Sequence, residues 1–316
     1  MKTYKKSNKA QRNEIPTELS GDFKEHLLYR NYQPSTIESI ERYVRRFLNW
    51  LNNESLELEE ITYNNLLILV KHYRKQDFSI HNINCHLMGI QHYFEWLITN
   101  EKATHNPAVN LRVKGITEKL PSDLLNKQQL EQIYETYPPQ AGQVKAQTPV
   151  QKRNKIIISL FVYQAIVRED LQQIEPQDIN LQKGIIRIRK TVRLQERILK
   201  LVANQILPLQ EYINEVRPEL LKLKQQKSDK LFITIGESNH LKEAIRELLK
   251  VLRKQNPFMK HFVQVRSSVI SLWIKEKNIR EVQYMAGHNN IISTQRYVRA
   301  NLDELKEQLV KFHPLK

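Results

Sequence analysis

Residues 285–297, which read MAGHNNIISTQRY, indicate most clearly how this chain folds. An apolar, helix-like segment leads into them, and Gly287 stands where a glycine commonly ends a helix. Beyond Gly287 a helical pattern resumes and reaches Tyr297. We therefore predict that one helix ends at Gly287 and that a second, short helix carries Tyr297, so that His288 and Tyr297 lie close together.

The balance of charge favours a polyanionic partner. The 316 residues include 50 Lys and Arg against 34 Asp and Glu, a formal net charge of +16. Each cation that neutralises a nucleic-acid phosphate releases condensed counterions and so strengthens binding. Charge alone also fits a merely soluble basic protein. The length allows two domains of ordinary size, and 40% apolar residues suffice for their cores.

What the sequence lacks disfavours several classes of protein. Cys85 is the only cysteine, so an internal disulfide or a cysteine-based zinc site is excluded. Together with His86 and His92 it matches no common spacing of metal ligands. Residues 1–13 are polar, and no apolar run approaches the roughly 20 residues that span a bilayer. None of the 7 glycines forms a phosphate-cradling loop. We expect a cytoplasmic protein without metal, cofactor or membrane contact.

The first part of the chain predicts a helical domain over residues 17–110. Four apolar stripes recur at helical spacing, and the helix starts are marked by Ser35, Thr62 and Ser79. At the first of these starts, Glu38 follows Ser35 by three residues and predicts a capping box. The flanking segments are a basic tail, residues 1–16, and a linker poor in apolar residues, 111–125.

In the second domain, residues 126–316, the spacing of apolar residues changes from a helical to an alternating pattern. A nearly all-apolar segment, 155–166, predicts a buried helix that ends close to Arg168. Residues 184–190 and 197–201 alternate and predict two strands of a small antiparallel sheet, with Lys190 and Arg193 near the turn between them. These basic side chains suit contact with a nucleic-acid backbone, and ordinary solvated strand residues are the alternative.

A later apolar helix carries Arg266 within its first turns. A buried arginine needs an internal carboxylate or an anionic ligand. Taken together, Arg266, Arg168, Lys190, His288 and Tyr297 compose a metal-free site for phosphoryl transfer. The arginines can bind the nonbridging oxygens of a phosphodiester, and the lysine can protonate a leaving oxygen. The tyrosine can attack, with the histidine binding the phosphate or accepting the proton.

At these residues the sequence resembles the tyrosine recombinase (phage integrase) family. Gly287-His288 looks like the family's Leu-Gly-His motif, and residues 294–297 look like its Thr-Gln-x-Tyr motif at the same nine-residue spacing. The Ser-Thr-Ile helix start at 35–37 and residues 47–50 are similar to its core-binding domain. The ending, 312–314, is similar to Xer-type and transposon integrases.

The resemblance implies a role for each member of the set. Tyr297 matches the nucleophile and His288 the motif histidine. Arg266 matches the arginine of the His-x-x-Arg motif. Arg168 is the best match for the first catalytic arginine, and Lys190 for the lysine of the β-hairpin.

Some positions depart from the family's pattern. Val263 stands three residues before Arg266, where the family has histidine, and His261 is the candidate substitute. Placing Arg168 at the first arginine leaves one residue missing before Asp178, whereas an alignment without that gap puts Val167 there. The hairpin lacks the family's Gly-Lys-Gly, which leaves two fallback choices for its lysine, Lys183 and Lys200.

The resemblance implies a mainly α fold with a small antiparallel sheet in two domains, a helical SAM-like core-binding domain and an α+β catalytic domain. It implies a site-specific DNA recombinase or integrase that acts through a 3′-phosphotyrosyl intermediate without metal or ATP. Double-stranded DNA is the expected partner, bound by a homo-tetramer on paired sites at the nucleoid. The departures support an alternative, a catalytically degenerate DNA-binding protein, and the third reading is an unrelated helical nucleic-acid adaptor.

Overall fold

A computed structural model describes most of the chain, in five segments: residues 21–115, 120–138, 148–224, 227–235 and 241–312, the last with side chains to 302. The chain divides into two compact units, Met1–Glu118 and Lys119–Lys316. The division falls inside the predicted linker. The predicted basic tail and residues 313–314 of the chain ending lie outside the described residues.

The first unit is helical, and the four predicted helices are confirmed. They are α1 (Gly21–Tyr29), α2 (Pro34–Glu54), α3 (Tyr63–Lys75) and α4 (Ile80–Thr99), with a 3-10 turn at Leu58–Glu60. Helix α2 packs along α4, and the apolar stripe of each faces the other. Phe23 of α1 is fully buried with its ring edge against Tyr93 of α4, at 5.4 Å between centroids.

Two of the helix starts predicted for this unit are confirmed, and the third is wrong in its N-cap. The side chains of Thr62 and Ser79 accept bonds from the third residue of α3 and α4, as predicted. The capping box predicted at Ser35 is wrong. Helix α2 begins one residue earlier, at Pro34, with Gln33 as its N-cap, because the fixed φ of proline suits the first helical position.

The second unit combines helices with a small sheet. Its elements are α5 (Lys127–Glu135), α6 (Pro149–Gln164), α7 (Arg168–Leu171), β1 (Ile179–Asn180), β2 (Ile185–Ile188), β3 (Arg197–Lys200), α8 (Ala203–Glu211), a π-helical turn (Tyr212–Val216), α9 (Arg217–Lys224), α10 (Lys242–Gln255), α11 (Phe262–Glu276), α12 (Ile279–Ala286) and α13 (Ile291–Phe312). Within the described residues no helix has both the length and the apolar content to cross a bilayer.

The buried helix α6 holds the second unit together. Its isoleucines 156–158 are at most 1% exposed, and the helix packs between α5 and α11. The rings of Phe161 and Phe262 stack with centroids 4.1 Å apart, which joins α6 to the start of α11. Asn126 caps α5 and forms a capping box with Gln129. These contacts fix α11, and through it the helices α12 and α13.

The sheet is antiparallel in the order β1-β2-β3, with Ile186 opposite Leu199. The strands predicted at 184–190 and 197–201 are confirmed. Strand β1 has two residues, too few for a visible alternation in the sequence. Both partners of the central pair are buried against the core of the unit, so the opposite face of the hairpin is turned outward.

Two predicted helix ends are wrong. The helix around Tyr297, which was expected to be short, is α13, of 22 residues. Residues 298–302 contain no glycine or proline to end it, and Asn301 bonds to Ser271 of α11 at 2.7 Å. Helix α6 ends at Gln164 rather than near Arg168, because Ala165 adopts a left-handed conformation with φ 51°.

Candidate active site

The turn at Gly287 joins α12 to α13 and positions the two residues predicted to react. Asn278 caps the start of α12 by accepting a bond from Glu281 N at 2.9 Å, and Gly287 ends it with φ 70°. A Cβ on Gly287 would lie 2.8 Å from Nη1 of the buried Arg197 and 3.1 Å from the carbonyl of Gln195. The position therefore requires glycine for its backbone conformation and for its close approach to the hairpin.

Replacing Gly287 with Ala is expected to lower the free energy of unfolding by about 3 kcal/mol. The added Cβ would require a positive φ that alanine disfavours, and it would clash with the buried Arg197. Gly184→Ala is the matched control. Gly184 also has a positive φ, 60°, but open space around it, so about 1 kcal/mol is expected there. Denaturant unfolding measures both, and equal losses would show that the close approach is unimportant.

His288 follows the glycine and is held on two sides. Its Nδ1 lies 2.9 Å from Oγ1 of the fully buried Thr294, and its backbone pairs with Leu194 of the hairpin as an isolated antiparallel bridge. Burial, followed by the charges of Arg266 and Arg197, lowers the pKa of His288 from 6.5 to about 4. The imidazole is therefore neutral near pH 7 and can accept a proton or a hydrogen bond.

This depressed pKa predicts an acid-labile fold. Because the unfolded chain binds the His288 proton at about 6.5 and the folded one at about 4, the stabilisation is complete above pH 6.5 and is lost as pH falls towards 4. Between pH 7 and pH 4.5 the free energy of unfolding should fall by about 2–3 kcal/mol. Glu175, with a pKa of about 2, loses its stabilisation only below about pH 4.5. Denaturant melts should show the fall in the wild type and a flatter profile in His288→Gln; parallel profiles would contradict the assignment.

Arg266 is 9% exposed, and its charge acts on His288. Its guanidinium donates to the carbonyl of Ala165, just past the end of α6, and to that of Ala286, the last residue of α12, at 2.6 Å. Burial and the charge of Arg197 lower the pKa of Arg266 to about 10, so it remains charged near neutrality. The carbonyls at helix C-termini carry partial negative charge. Two helix ends thus stabilise this cation directly, and the charge of Asp170, an internal carboxylate such as the sequence predicted, also favours the charged form of Arg266.

Tyr297 is half-buried on the first turns of α13. Its ring stacks near-parallel on His288, with centroids 6.1 Å apart and an angle of 13° between the planes. The negative charge of an ionised Tyr297 raises the pKa of Arg266, which places the two groups within electrostatic reach. The structure therefore brings together Tyr297, His288 and Arg266, three of the residues predicted for the site.

A cavity of about 490 Å³ opens over these groups. Two arginines, Arg193 of the hairpin turn and Arg296, stand in its wall with His288 and Tyr297. The other described residues of the wall are neutral: Leu120, Pro121, Leu194, Val263, Ser267, Asn289, Asn290 and Ser293. A wall with guanidinium groups and, among its described residues, no carboxylate suits a phosphate group.

A buried ion pair supports the floor of the site. Nη2 of Arg197, on β3, lies 2.5 Å from Asp170 of α7, and both side chains are fully buried. Asp170 also accepts a bond from the backbone N–H of Val167 at 3.2 Å. The pair ties the hairpin to the chain that leaves α6, directly under Gly287. The burial of the Arg197 side chain could have been predicted from the sequence. Arg197 lies two residues before the apolar Leu199 on the same strand, so both side chains are on the same face of the sheet.

The remaining predicted residues are placed elsewhere. Arg168 is paired with the neighbouring Glu169 at 2.9 Å and its side chain is 43% exposed. His261 caps α11 by accepting a bond from Gln264 N at 2.9 Å. Lys190 is exposed and precedes the hairpin turn, and the fallback choices, Lys183 and Lys200, are also exposed. None of the five is among the described residues of the cavity wall, and we do not include them in the proposed catalytic set.

The residues weighed as metal ligands have other contacts. Cys85 Sγ lies 3.7 Å from Nε2 of His81, and His92 bonds to Tyr32 and Glu95. The ring of His86 is 3% exposed and packs among aromatic side chains, Tyr43, Tyr73 and Phe78. Within the described part of the chain, no group of three or more His, Cys, Asp or Glu residues could hold a metal ion.

Comparison with known proteins extends over both units. A family model described as the phage integrase family matches residues 123–304, and one described as the phage integrase N-terminal SAM-like domain matches residues 21–101. The tyrosine recombinase XerC of Oceanobacillus iheyensis is 22% identical over 297 residues, which covers 92% of this chain and 94% of that protein.

Solved structures share the fold. XerH site-specific recombinase bound to palindromic difH substrate, in a post-cleavage complex, is similar with a TM-score of 0.70 at 19% identity, covering 88% of this chain and 80% of that one. A lambda integrase tetramer bound to a Holliday junction is similar with a TM-score of 0.60 at 14% identity, covering 87% of this chain and 75% of that one.

Proposed function

The chain belongs to the phage integrase family, and we propose on that basis that it is a tyrosine-type site-specific recombinase that cleaves and rejoins DNA strands. The observation that carries the proposal is the stack of Tyr297 on His288 in the wall of a cavity that also holds two arginines, with the buried Arg266 within electrostatic reach of both rings. These are the groups that a metal-free attack on a phosphodiester needs.

The reaction begins at Tyr297. Its oxygen attacks the phosphorus of the scissile phosphodiester, the bond to the 5′ oxygen breaks, and a 3′-phosphotyrosyl bond and a free 5′-hydroxyl result. A 5′-hydroxyl from the partner strand then attacks the phosphotyrosyl bond and releases the enzyme. Because one ester bond replaces another, the energy of the phosphodiester is retained and the cycle requires neither ATP nor a metal.

Charge in the site changes when DNA binds. Tyr297 must lose the proton of its hydroxyl to attack. In the free protein burial, followed by the charges of Arg266 and Arg197, holds the pKa of His288 at about 4. A bound phosphodiester adds negative charge, which offsets these arginines and raises that pKa. Binding of DNA thus makes His288 a better acceptor for the tyrosine proton.

The proposed partner is double-stranded DNA, and the proposed assembly is a homo-tetramer on two paired sites. The +16 charge supports the first, and the fold shared with a lambda integrase tetramer on a Holliday junction supports the second. We propose that the helical unit of residues 21–115 grips one face of the duplex while the second unit carries the chemistry. The place of action is DNA in the cytoplasm, at the nucleoid.

A search for covalent adducts tests this function without knowledge of the site. Purified protein is incubated with sheared genomic DNA of its source, and protein-bound DNA is precipitated with detergent and potassium. After proteolysis the recovered ends should accept phosphate from polynucleotide kinase without prior phosphatase, because cleavage leaves a 5′-hydroxyl. Sequencing the labelled ends should give a recurrent position. Binding without any adduct would indicate the catalytically degenerate alternative, and no binding even at low salt would contradict both.

A further inference from the structure

Thr294 fixes the orientation of the His288 ring. Its Oγ1 lies 2.9 Å from Nδ1 of the imidazole, and the threonine itself is fully buried. The backbone of His288 is held separately, since its N–H donates to Gln283 O at 3.1 Å and its carbonyl accepts from Gln283 Nε2 at 3.2 Å. The stack on Tyr297 would still permit the ring to flip about its own axis. The bond to Thr294 is therefore what fixes the positions of the two ring nitrogens.

The threonine and the predicted nucleophile hold this ring from the same helix. Thr294 lies three residues before Tyr297 on α13, so the two side chains are neighbours on one face of the helix. Thr294 bonds to the edge of the imidazole, and Tyr297 stacks on its face. The imidazole and the tyrosine thus keep a fixed geometry relative to each other.

The burial of Thr294 decides the direction of its bond to His288. Within the described part of the chain, its hydroxyl makes no other hydrogen bond. A buried hydroxyl proton without an acceptor is costly, whereas the lone pair of a neutral imidazole nitrogen accepts it. The imidazole is neutral near pH 7, because burial and two nearby arginines lower its pKa. Nδ1 therefore accepts from Thr294, and the ring proton of the free protein lies on Nε2.

The two ring nitrogens consequently have different tasks. Nδ1 is engaged with Thr294, which leaves Nε2 for a ligand in the cavity whose wall His288 helps to form. With its proton in place, Nε2 can donate to a nonbridging oxygen of a phosphate. Transfer of the Tyr297 proton to Nε2 requires the other tautomer, in which the hydroxyl turns and accepts from Nδ1–H. A hydroxyl serves both tautomers because it can donate or accept.

We propose that Thr294 is a positioning residue for strand cleavage, whose hydroxyl holds Nδ1 of His288 and so presents Nε2 to the scissile phosphate and to Tyr297. This inference rests on the proposed function. Thr294 is fully buried and is not among the described residues of the cavity wall, so it acts through the imidazole. Its loss should lower the rate of cleavage and leave the affinity for DNA unchanged.

Thr294→Val keeps the shape of the side chain and removes the hydroxyl. With saturating protein and a duplex built on the recurrent cleavage position, it should cleave at least about tenfold more slowly than the wild type, since a positioned acid or base contributes about 10²–10⁴. Thr294→Ser retains a hydroxyl and should cleave within about threefold of the wild-type rate. The dissociation constant of the duplex should agree among the three proteins within about twofold. Equal cleavage rates in Thr294→Val and the wild type would contradict the proposal.

Ser271→Ala is the matched control. Ser271 is 3% exposed and donates to Asn301 of α13 at 2.7 Å, so the change removes another buried hydroxyl bond to the same helix. Ser271 stands outside the described wall of the cavity. The control should cleave within about twofold of the wild-type rate. A loss equal to that of Thr294→Val would mean that both hydroxyls act through the packing of α13, and the inference would be overturned.

Removal of the imidazole tests whether Thr294 acts through it. In the His288→Ala protein, added Thr294→Val should change the remaining slow rate by less than about twofold, because the hydroxyl no longer has a ring to position. A further loss of about tenfold would assign Thr294 a role independent of His288 and would also overturn the inference.

A measurement on the free protein tests the contact without cleavage. Nitrogen-15 spectra of histidine-labelled protein near pH 7, with His288 assigned by its absence from His288→Ala, should show an unprotonated Nδ1 and a protonated Nε2. Thr294→Val should shift both signals towards a mixture of tautomers, and Ser271→Ala should not. If the wild type forms no adduct, the proposed function fails, and these spectra alone judge the contact. A proton on Nδ1 of the wild type, or unchanged signals in Thr294→Val, would contradict it.

Discussion

Replacing Tyr297 with Phe is expected to abolish formation of the covalent protein–DNA adduct. The change removes the oxygen that bonds to phosphorus, while the ring keeps its stack on His288, 6.1 Å between centroids, and its packing against the core. The loss should be at least about a thousandfold, because removal of a covalent nucleophile leaves only the charge stabilisation of the site. Binding of the duplex, measured by mobility shift, should change by less than about twofold.

Tyr284→Phe is the matched control for this result. Its hydroxyl accepts a bond from Ile198 N at 2.9 Å, on the outer side of the hairpin, and it stands outside the described wall of the cavity. The control should form the adduct at a rate close to that of the wild type. An adduct that persists in Tyr297→Phe but disappears in Tyr284→Phe would move the nucleophile to α12 and contradict the proposed mechanism.

The part of the site that lies within one short stretch of chain could be predicted from the sequence. A single turn, which contains Gly287 and His288, separates α12 from the helix that carries Tyr297. The geometry of these residues therefore depends on helix ends and on the conformational freedom of glycine. Arg266 could be predicted to be buried because apolar residues surround it in the helical pattern. Its partners could not be predicted, since they are carbonyl groups at the ends of two helices that are distant in sequence.

The sequence could not predict which side chains of the hairpin and of the segment after α6 face the site. A shift of one residue in either segment changes the side chain that does so. Ala165 illustrates this. It has a positive φ of 51°, the conformation that glycine favours, two residues before Val167 and three before Arg168. The alignments with and without the gap differ by this single residue, and they place either Arg168 or Val167 at the position of the first arginine.

On the hairpin the register depends on tertiary contacts. Both Lys190 and Arg193 belong to a basic segment, and alternation along the strands does not extend through the turn between them. The bonds of the turn to Gly287 decide that Arg193 faces the cavity. Burial of Arg197 in the next strand follows from its pairing with Asp170, a residue of another element. Neither contact leaves a signal in the local sequence that identifies its partner.

Arg266→Ala is expected to lower the single-turnover rate of cleavage by about a thousandfold, because it removes the buried cation beneath the reacting phosphate. It should also lower the free energy of unfolding by about 2–4 kcal/mol, since the carbonyls of Ala165 and Ala286 lose a charged donor in a buried site. Cleavage should therefore be measured with saturating protein and well below the unfolding temperature.

Arg153→Ala separates the chemical effect from the structural one. Arg153 is another buried arginine of the same unit, 4% exposed, and it donates to the carbonyl of Ile233 at 2.6 Å, away from the cavity. Its loss should cost a similar free energy of unfolding but leave the cleavage rate of the folded protein within about threefold. Arg266→Lys keeps a charge but not the planar fork, and should cleave at a rate between those of Arg266→Ala and the wild type. Equal loss of cleavage in Arg153→Ala and Arg266→Ala would mean that Arg266 acts only through the fold, and the catalytic assignment would then have to be abandoned.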